Sequence, residues 1–289
     1  MLCQLKSVKK YFSVQSPARQ TIKAVDGVDV SINEGEVFSV VGESGSGKTT
    51  LGRILADLYR PDSGEVLFEG RNIHSMNRLD YRRYRRGVQI VFQDPYSSLD
   101  PRYNVQRILL EAFTLQDKMD KAIQYEQMAE SLRAVDLSSD VLLRYPHEFS
   151  GGERQRIAIA RAVLCRPKLV ILDEAVSSLD VLVQDQILKL LDALQAQFGL
   201  TYFFISHNLR VVRKISDKIA VMYKGRIVES GPVHELMDNP QHPYTKELLT
   251  AAVEYKVSRR ARDWFMPLSQ EGRMVSPDHW VMNIVESKE

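Results

Sequence analysis

Short alternating runs of apolar and polar residues open the chain, from Leu2 to Val8 and from Val28 to Ile32. Alternation with a period of two marks half-buried strands, and two such runs flanking the polar stretch Ser13 to Gln20 predict an antiparallel layer. The pattern then changes. Val37-Phe38-Ser39-Val40-Val41 reads as a buried strand, and Leu51, Ile54, Leu55 and Leu58 follow at helical spacing. Pro61-Asp62-Ser63-Gly64 predicts a turn, Glu65 to Gly70 a short strand, and Val88 to Phe92 an apolar strand that ends at Gln93-Asp94-Pro95. From Tyr103 to Tyr145 the period is helical, with Val105, Ile108, Leu109, Ala112 and Phe113 on one stripe and Gln127 to Val135 continuing it. A mostly helical insertion is expected there. Phe149 to Glu153 opens another helix, whose Ala158, Ala160 and Ala162 permit close packing. Leu169 to Leu172 is a continuous apolar run, as in a parallel strand covered on both faces, and a second buried strand spans Tyr202 to Ile205. Between them lies an amphipathic helix from Val183 to Gln197. The expected fold class is α/β.

Composition narrows the function classes. The 289 residues are 44% hydrophobic and 26% charged, enough for one large or two modest domains. A formal net charge of +2 gives no global reason to expect nucleic acid as partner. One basic run, Arg78, Arg82, Arg83, Arg85 and Arg86 with Tyr81 and Tyr84 between them, reads as a solvated helical face. Cys3 and Cys165 form no CxxC pair, which argues against a disulfide framework or zinc site and for a reducing cytoplasmic setting. No signal-peptide stretch or membrane-length apolar run occurs, so the chain is not expected to cross a membrane by itself.

The chemistry concentrates at strand ends. Gly42-Glu43-Ser44-Gly45-Ser46-Gly47-Lys48-Thr49, followed by Thr50, fits the phosphate-loop pattern G-x-x-x-x-G-K-[ST] between a strand and a helix. Its glycines let backbone N–H groups turn toward an anion, and the helix N-terminus adds partial positive charge. Lys48 would reach the β- and γ-phosphates and Thr49 would ligate Mg²⁺. Asp173 and Glu174 end the Leu169 strand. Paired acids there are costly unless something positive is near, and Mg²⁺ at the phosphate loop would supply it. Asp173 would hold the metal, directly or through water, and Glu174 would orient or deprotonate the attacking water. Gln93 and His207 end two further strands, so three strands besides the loop's own deliver polar groups to one sheet edge. Ser150-Gly151-Gly152 is by itself a weak signal, most often a capped turn. Tyr11, placed just after the first strand, suits ordinary packing on position alone.

Together these motifs resemble the nucleotide-binding subunit of an ABC transporter, over about residues 2 to 250 and in the family's order. The resemblance implies a P-loop NTPase (RecA-like) core with an N-terminal antiparallel β layer, an inserted helical subdomain and a short C-terminal extension. The expected divisions are residues 1–94, 95–160, 161–232 and 233–289. ATP and Mg²⁺ are implied as ligands, with Thr49, Gln93 and Asp173 at the metal. Tyr11 becomes the adenine-stacking aromatic, against the reading from position. Gln93 resembles the Q-loop glutamine, Asp173 the Walker B aspartate, Glu174 the catalytic glutamate and His207 the switch histidine. Ser150, Gly151 and Gly152 match the signature, with Glu153 where glutamine is commonest, and Ser178 to Asp180 match the D-loop. In this family two cassettes pair head to tail, so Ser150 to Gly152 would serve a partner's ATP, and Asp180 of the D-loop is counted among the ATP-binding residues.

Val91-Phe92-Gln93-Asp94-Pro95-Tyr96-Ser97-Ser98-Leu99-Asp100-Pro101 and His242-Pro243-Tyr244-Thr245 resemble the oligopeptide and dipeptide importers. That subfamily implies a second ATPase subunit that is a paralogue, two membrane-spanning permease subunits and an extracytoplasmic solute-binding protein. The place implied is peripheral, on the cytoplasmic face of the membrane. Some such chains carry a cysteine cluster for an iron–sulfur centre. Here there is none, and no cluster is expected. The tail from Tyr255 to Glu289, with Arg259, Arg260, Arg262, Trp264 and Trp280, admits two readings: a regulatory segment or partner contact, or a tail packed on its own cassette. The alternative function is a soluble, non-transport ATPase of the same superfamily, in an enzyme or nucleic-acid complex. About a hundred residues separate Lys48 from Ser150, too few for the long coiled coil of chromosome-maintenance relatives. A P-loop kinase or GTPase would leave Ser150 to Gly152 without a role.

Overall fold

In the computed structural model, which describes residues 1–13, 21–94, 98–116, 119–253 and 268–284, the first alternating runs form strands β1 (Cys3–Ser13) and β2 (Thr21–Ile32). Both outrun the alternation, because register shifts between Leu5 and Val8 and between Lys10 and Tyr11 break its period. Tyr11 accordingly lies within β1 instead of after it. β1 also pairs with β4 (Ser63–Phe68), and β4 with β5 (Arg71–Asn72), in an antiparallel sheet ordered β2-β1-β4-β5. This is the expected N-terminal layer.

The second sheet carries the strand ends of interest. β3 (Val37–Val41), β6 (Val88–Val91), β7 (Leu169–Asp173), β8 (Thr201–Ile205) and β9 (Lys218–Tyr223) run parallel in the order β9-β3-β8-β7-β6. Every residue of β3, β7 and β8 is buried, which accounts for their almost unbroken apolar composition. Helix α1 (Lys48–Leu55) is sandwiched between the sheets, where Leu51, Ile54 and Leu55 share a core with Leu5, Val25, Ile171, Phe203 and Ile205. Gly52 allows this approach, because a Cβ there would stand 2.7 Å from Ile205 Cδ1. The helix stops at Leu55, so Leu58 falls outside the expected stripe and is exposed.

The basic run forms α2 (Arg78–Gly87), but not merely as a solvated face. Tyr84 is buried with its hydroxyl on the Leu55 carbonyl, and Arg82 and Arg86 donate to the Gln116 and Cys165 carbonyls. The insertion is helical as expected, through α3 (Val105–Leu110), α4 (Lys121–Arg133) and short 3₁₀ turns. It shares one core with α5 (Gly151–Leu164), α6 (Val181–Phe198) and the second face of the parallel sheet, through Val170, Leu172, Tyr202 and Phe204.

Past β9, helix α7 (Leu209–Ile215) having come before it, β10 (Arg226–Pro232) returns antiparallel and leads into α8 (Val233–Asp238) and α9 (Pro243–Val253). The tail then forms a hairpin, β11 (Leu268–Ser276) and β12 (His279–Ile284), whose second strand pairs with β10. Of the two readings of the tail, packing on its own cassette holds for this hairpin; Arg259, Arg260, Arg262 and Trp264, like Pro95 to Ser97, lie outside the described residues. Buried polar contacts fasten it. Glu229 on β10 is fully buried, accepts the amides of Gln241 at 2.8 Å and His242 at 3.0 Å, and meets His279 Nε2 at 2.7 Å. Removing a buried acceptor strands its donors. Glu229→Ala is therefore expected to destabilise the chain by about 3 kcal/mol, read as a lower urea midpoint by circular dichroism. An unchanged midpoint would contradict this role.

Candidate nucleotide-binding site

The loop between β3 and α1 is wedged into the fold. Gly47 sits at φ 109° directly before α1, and a Cβ there would stand 2.0 Å from the Ala24 carbonyl oxygen of β2. At Gly42 a Cβ would come 2.1 Å from the Met222 carbonyl oxygen of β9. The Gly225 amide also donates to the Ser46 carbonyl at 2.9 Å. Glu43, Ser44 and Gly45 form the exposed crest, while Thr49 and Thr50 stand half-buried in the first helical turn. Gly47 caps that helix without a side chain, leaving its first amides to an anion. Lys48 is buried, with Nζ 2.8 Å from the Gly42 carbonyl and 2.7 Å from that of Glu43. Burial lowers its pKa, and the charges of Glu174, Asp173 and Glu43 oppose the shift.

Asp173, last residue of β7, is only 3% exposed and accepts the Thr49 hydroxyl at 3.0 Å. Burial pushes its carboxyl pKa up, against the Thr49 hydrogen bond and the charges of Arg53 and Lys48. Glu174 follows at φ 49°, a left-handed conformation that costs a non-glycine residue on the order of 1–3 kcal/mol. Three hydrogen bonds hold it there. Its amide donates to the Ile205 carbonyl at 3.0 Å, and its carboxylate oxygen Oε2 accepts Gln93 Nε2 at 3.0 Å and meets His207 Nδ1 at 3.2 Å. Gln93, Glu174 and His207 come from the ends of β6, β7 and β8, as their strand-end positions imply. The structure thus joins Lys48, Thr49, Gln93, Asp173, Glu174 and His207 into one constellation.

The donor chemistry fits Mg²⁺. The Thr49 hydroxyl, the Asp173 carboxylate and the Gln93 amide oxygen are hard oxygen ligands, which this ion prefers. Among the described residues no group of three or more His, Cys, Asp or Glu could hold a metal. An ion here would depend on phosphate oxygens and water for the rest of its shell, as Mg²⁺ commonly does.

Other expected residues gather elsewhere. Ser150 caps α5 and shares a capping box with Glu153, whose carboxylate accepts the Ser150 amide at 2.9 Å and hydroxyl at 2.8 Å. Asp180 caps α6, accepting the amides of Leu182 at 3.1 Å and Val183 at 3.0 Å. The two caps adjoin, since a Cβ on Gly152 would stand 2.6 Å from Val183 Cγ1 and one on Gly151 3.7 Å from Leu179 Cδ2. Among the described residues, no hydrogen bond of Ser150 or Asp180 reaches the loop from Gly42 to Thr50. Tyr11 is joined to the loop's surroundings through β2: its hydroxyl lies 2.5 Å from Asp26 Oδ1, and its cross-strand partner Lys23 neighbours the Ala24 that abuts Gly47. Arg226 completes that network with Nη2 2.7 Å from Asp26 Oδ2. Sequence reasoning missed Tyr244, whose hydroxyl accepts the Glu43 amide at 3.1 Å. The quartet His242 to Thr245 was visible in the sequence, though nothing in its pattern tied it to the loop.

An ABC transporter family profile matches residues 25–177. The oligopeptide transport ATP-binding protein AppF of Bacillus subtilis (strain 168) is 47% identical over 255 residues, covering 86% of this chain and 78% of AppF. OppF of the same organism, likewise described as an oligopeptide transport ATP-binding protein, is 42% identical over 294 residues, covering 97% of this chain and 95% of OppF. Among solved structures, the dimeric post-hydrolysis state of the ATP-binding cassette MJ0796 bound to ADP and Pi is similar with a TM-score of 0.71 at 27% identity, covering 80% of this chain and 99% of that one. A profile spanning half the chain and a relative matched along nearly its full length agree with the geometry, and the chain belongs to the ABC transporter family, as an ATP-binding and ATP-hydrolysing cassette.

Proposed function

We propose that this chain powers a multi-subunit importer of peptides or a related solute, as a peripheral subunit on the cytoplasmic face of the membrane. Hydrolysis rests above all on one observation, the Glu174 carboxylate held by Gln93 and His207 beside the phosphate loop. The solute class follows the AppF and OppF relatives, matched over most of the chain. Among the described residues no helix is long and apolar enough to cross a membrane. In this reading the solute's path is built by two membrane-spanning permease subunits, fed by an extracytoplasmic solute-binding protein, as the resemblance to oligopeptide importers implies.

In this reading the amides from Gly42 to Thr50 and the Lys48 ammonium bind the phosphates of ATP, and Tyr11 stacks on adenine with its ring steadied through Asp26. Mg²⁺, held by Thr49, Asp173 and Gln93, would neutralise charge on the phosphate oxygens. Glu174 orients the attacking water and accepts its proton, while the Gln93 amide and the His207 ring keep the carboxylate aimed. Holding Glu174 from two neighbouring strands fixes its geometry before the reaction, which is where positioning lowers a barrier.

Ser150, Gly151, Gly152 and Asp180 serve the ATP of a second cassette, expected to be a paralogue, paired head to tail. The surface beside Asp180 suits burial by such a partner, because Val181 is 80% and Leu182 79% exposed. Pairing would cover these side chains and bring each signature to the other chain's phosphate loop.

Glu174→Gln is expected to retain ATP binding while phosphate release in the presence of the partner falls about 10²–10⁴-fold. Release at the wild-type rate would sink the assigned role. Replacing both Val181 and Leu182 by Asp should weaken ATP-dependent pairing at least about tenfold in sedimentation velocity. Unaltered pairing would place the interface elsewhere.

A further inference from the structure

The quartet His242-Pro243-Tyr244-Thr245 lies about two hundred residues after the phosphate loop, yet it touches that loop directly. Tyr244 stands in the first turn of α9 and is 4% exposed. Its ring packs on Tyr223, the last residue of β9, with centroids 4.4 Å apart. Its hydroxyl accepts the backbone amide of Glu43 at 3.1 Å. The carbonyl of Glu43 is also engaged, accepting Lys48 Nζ at 2.7 Å and the Ser46 amide at 3.2 Å. The Glu43 residue is thereby held by its amide from α9 and by its carbonyl from the loop itself, although its side chain projects from the exposed crest.

We propose that Tyr244 is a positioning residue for ATP binding, its hydroxyl fixing the Glu43 backbone and through it the Lys48 ammonium. This rests on the reading that the loop from Gly42 to Thr50 and Lys48 bind the phosphates. Buried as it is, Tyr244 has a phenol pKa pushed up to about 12, chiefly by desolvation, so near neutral pH it brings no negative charge toward the phosphates. Its own place is fixed from behind. The Tyr244 amide donates to His242 Nδ1 at 3.2 Å, and the His242 amide to Glu229 at 3.0 Å. Glu229 is the buried acceptor that also holds His279 of the terminal hairpin. The segment after β10 thus ends in a hydrogen bond to the crest of the phosphate loop.

Tyr244→Phe keeps the ring on Tyr223 and removes only the hydroxyl. In the full chain assembled with its partner subunits, this variant is expected to raise the KM for ATP by about 2- to 10-fold while kcat stays within about twofold. In the isolated chain without nucleotide, hydrogen exchange at the Glu43 amide should accelerate by a similar factor, with an unchanged urea midpoint. Unchanged exchange at Glu43 overturns the proposal. A drop in the urea midpoint with exchange accelerated throughout the chain also overturns it, since that would mean general loosening. Lys48→Ala separates the two readings. If it leaves ATP affinity intact, the phosphate-site reading fails, whereas the exchange experiment judges the Tyr244 contact without any nucleotide. If Lys48→Ala weakens ATP binding and Tyr244→Phe changes neither KM nor exchange, the inference alone is overturned.

Discussion

The parallel register places the chemistry. Asp173 is paired with Ile205 across β7 and β8, and Ile205 with Val40 across β8 and β3. One row therefore crosses three strands at the edge where the phosphate loop begins. Slipping β7 by one residue would turn Asp173 to the opposite face and carry every apolar residue of the strand with it. Close packing opposes that slip, because Ile171, Phe203 and Ile205 fill the core around α1 while Val170, Leu172, Tyr202 and Phe204 fill the other, and a shift would mismatch side-chain shapes in both. Packing that looks remote from the site thus decides which side chains meet Lys48.

The same burial makes the site hungry for ions of both signs. Lys48 and Asp173 sit in the low-dielectric interior, where desolvation moves each toward its neutral form, the lysine pKa downward and the carboxyl pKa upward. Each charge resists the shift of the other, though a buried pair recovers only part of its desolvation cost. A phosphate chain carrying a divalent cation offers negative charge to the ammonium and positive charge to the carboxylate together. In the proposed reading, such a pair would meet both buried charges at once, where either ion alone would meet only one.

Much of this was legible in the sequence because the signals are local. A strand covered on both faces reads as an apolar run, a glycine-rich loop before a helix has a fixed spacing, and carboxylates or amides at strand ends have a known address in α/β sheets. The gathering of Gln93, Asp173, Glu174 and His207 at one sheet edge is legible that way. What the pattern hides is non-local or irregular. Register shifts in β1 carry Tyr11 into the strand, the contact of Tyr244 with Glu43 spans most of the chain, and the terminal hairpin is anchored by a polar contact, His279 of the hairpin on Glu229 of β10, that no apolar pattern announces. The glutamate at φ 49° is likewise invisible, since residue type does not announce a left-handed conformation outside glycine.

The connector from Glu174 to Asp180 bears on the proposed pairing. It is a tight turn: the Ser177 amide donates to the Glu174 carbonyl at 3.0 Å, the Leu179 amide to the Val176 carbonyl at 3.3 Å, and Gln184 Nε2 of α6 to the same Val176 carbonyl at 3.2 Å. Asp180 then starts α6, and Val183 in that helix's first turn packs where Gly152 has no side chain. The residue assigned to proton transfer and the two caps assigned to a partner's nucleotide are therefore linked by packed backbone rather than by a loose loop. Displacing Glu174 would strain the start of α6 and the Ser150 cap against it, because close-packed elements transmit shifts instead of absorbing them. In the proposed head-to-tail pair, this short turn would join the Glu174 side of one phosphate site to the caps offered to the other.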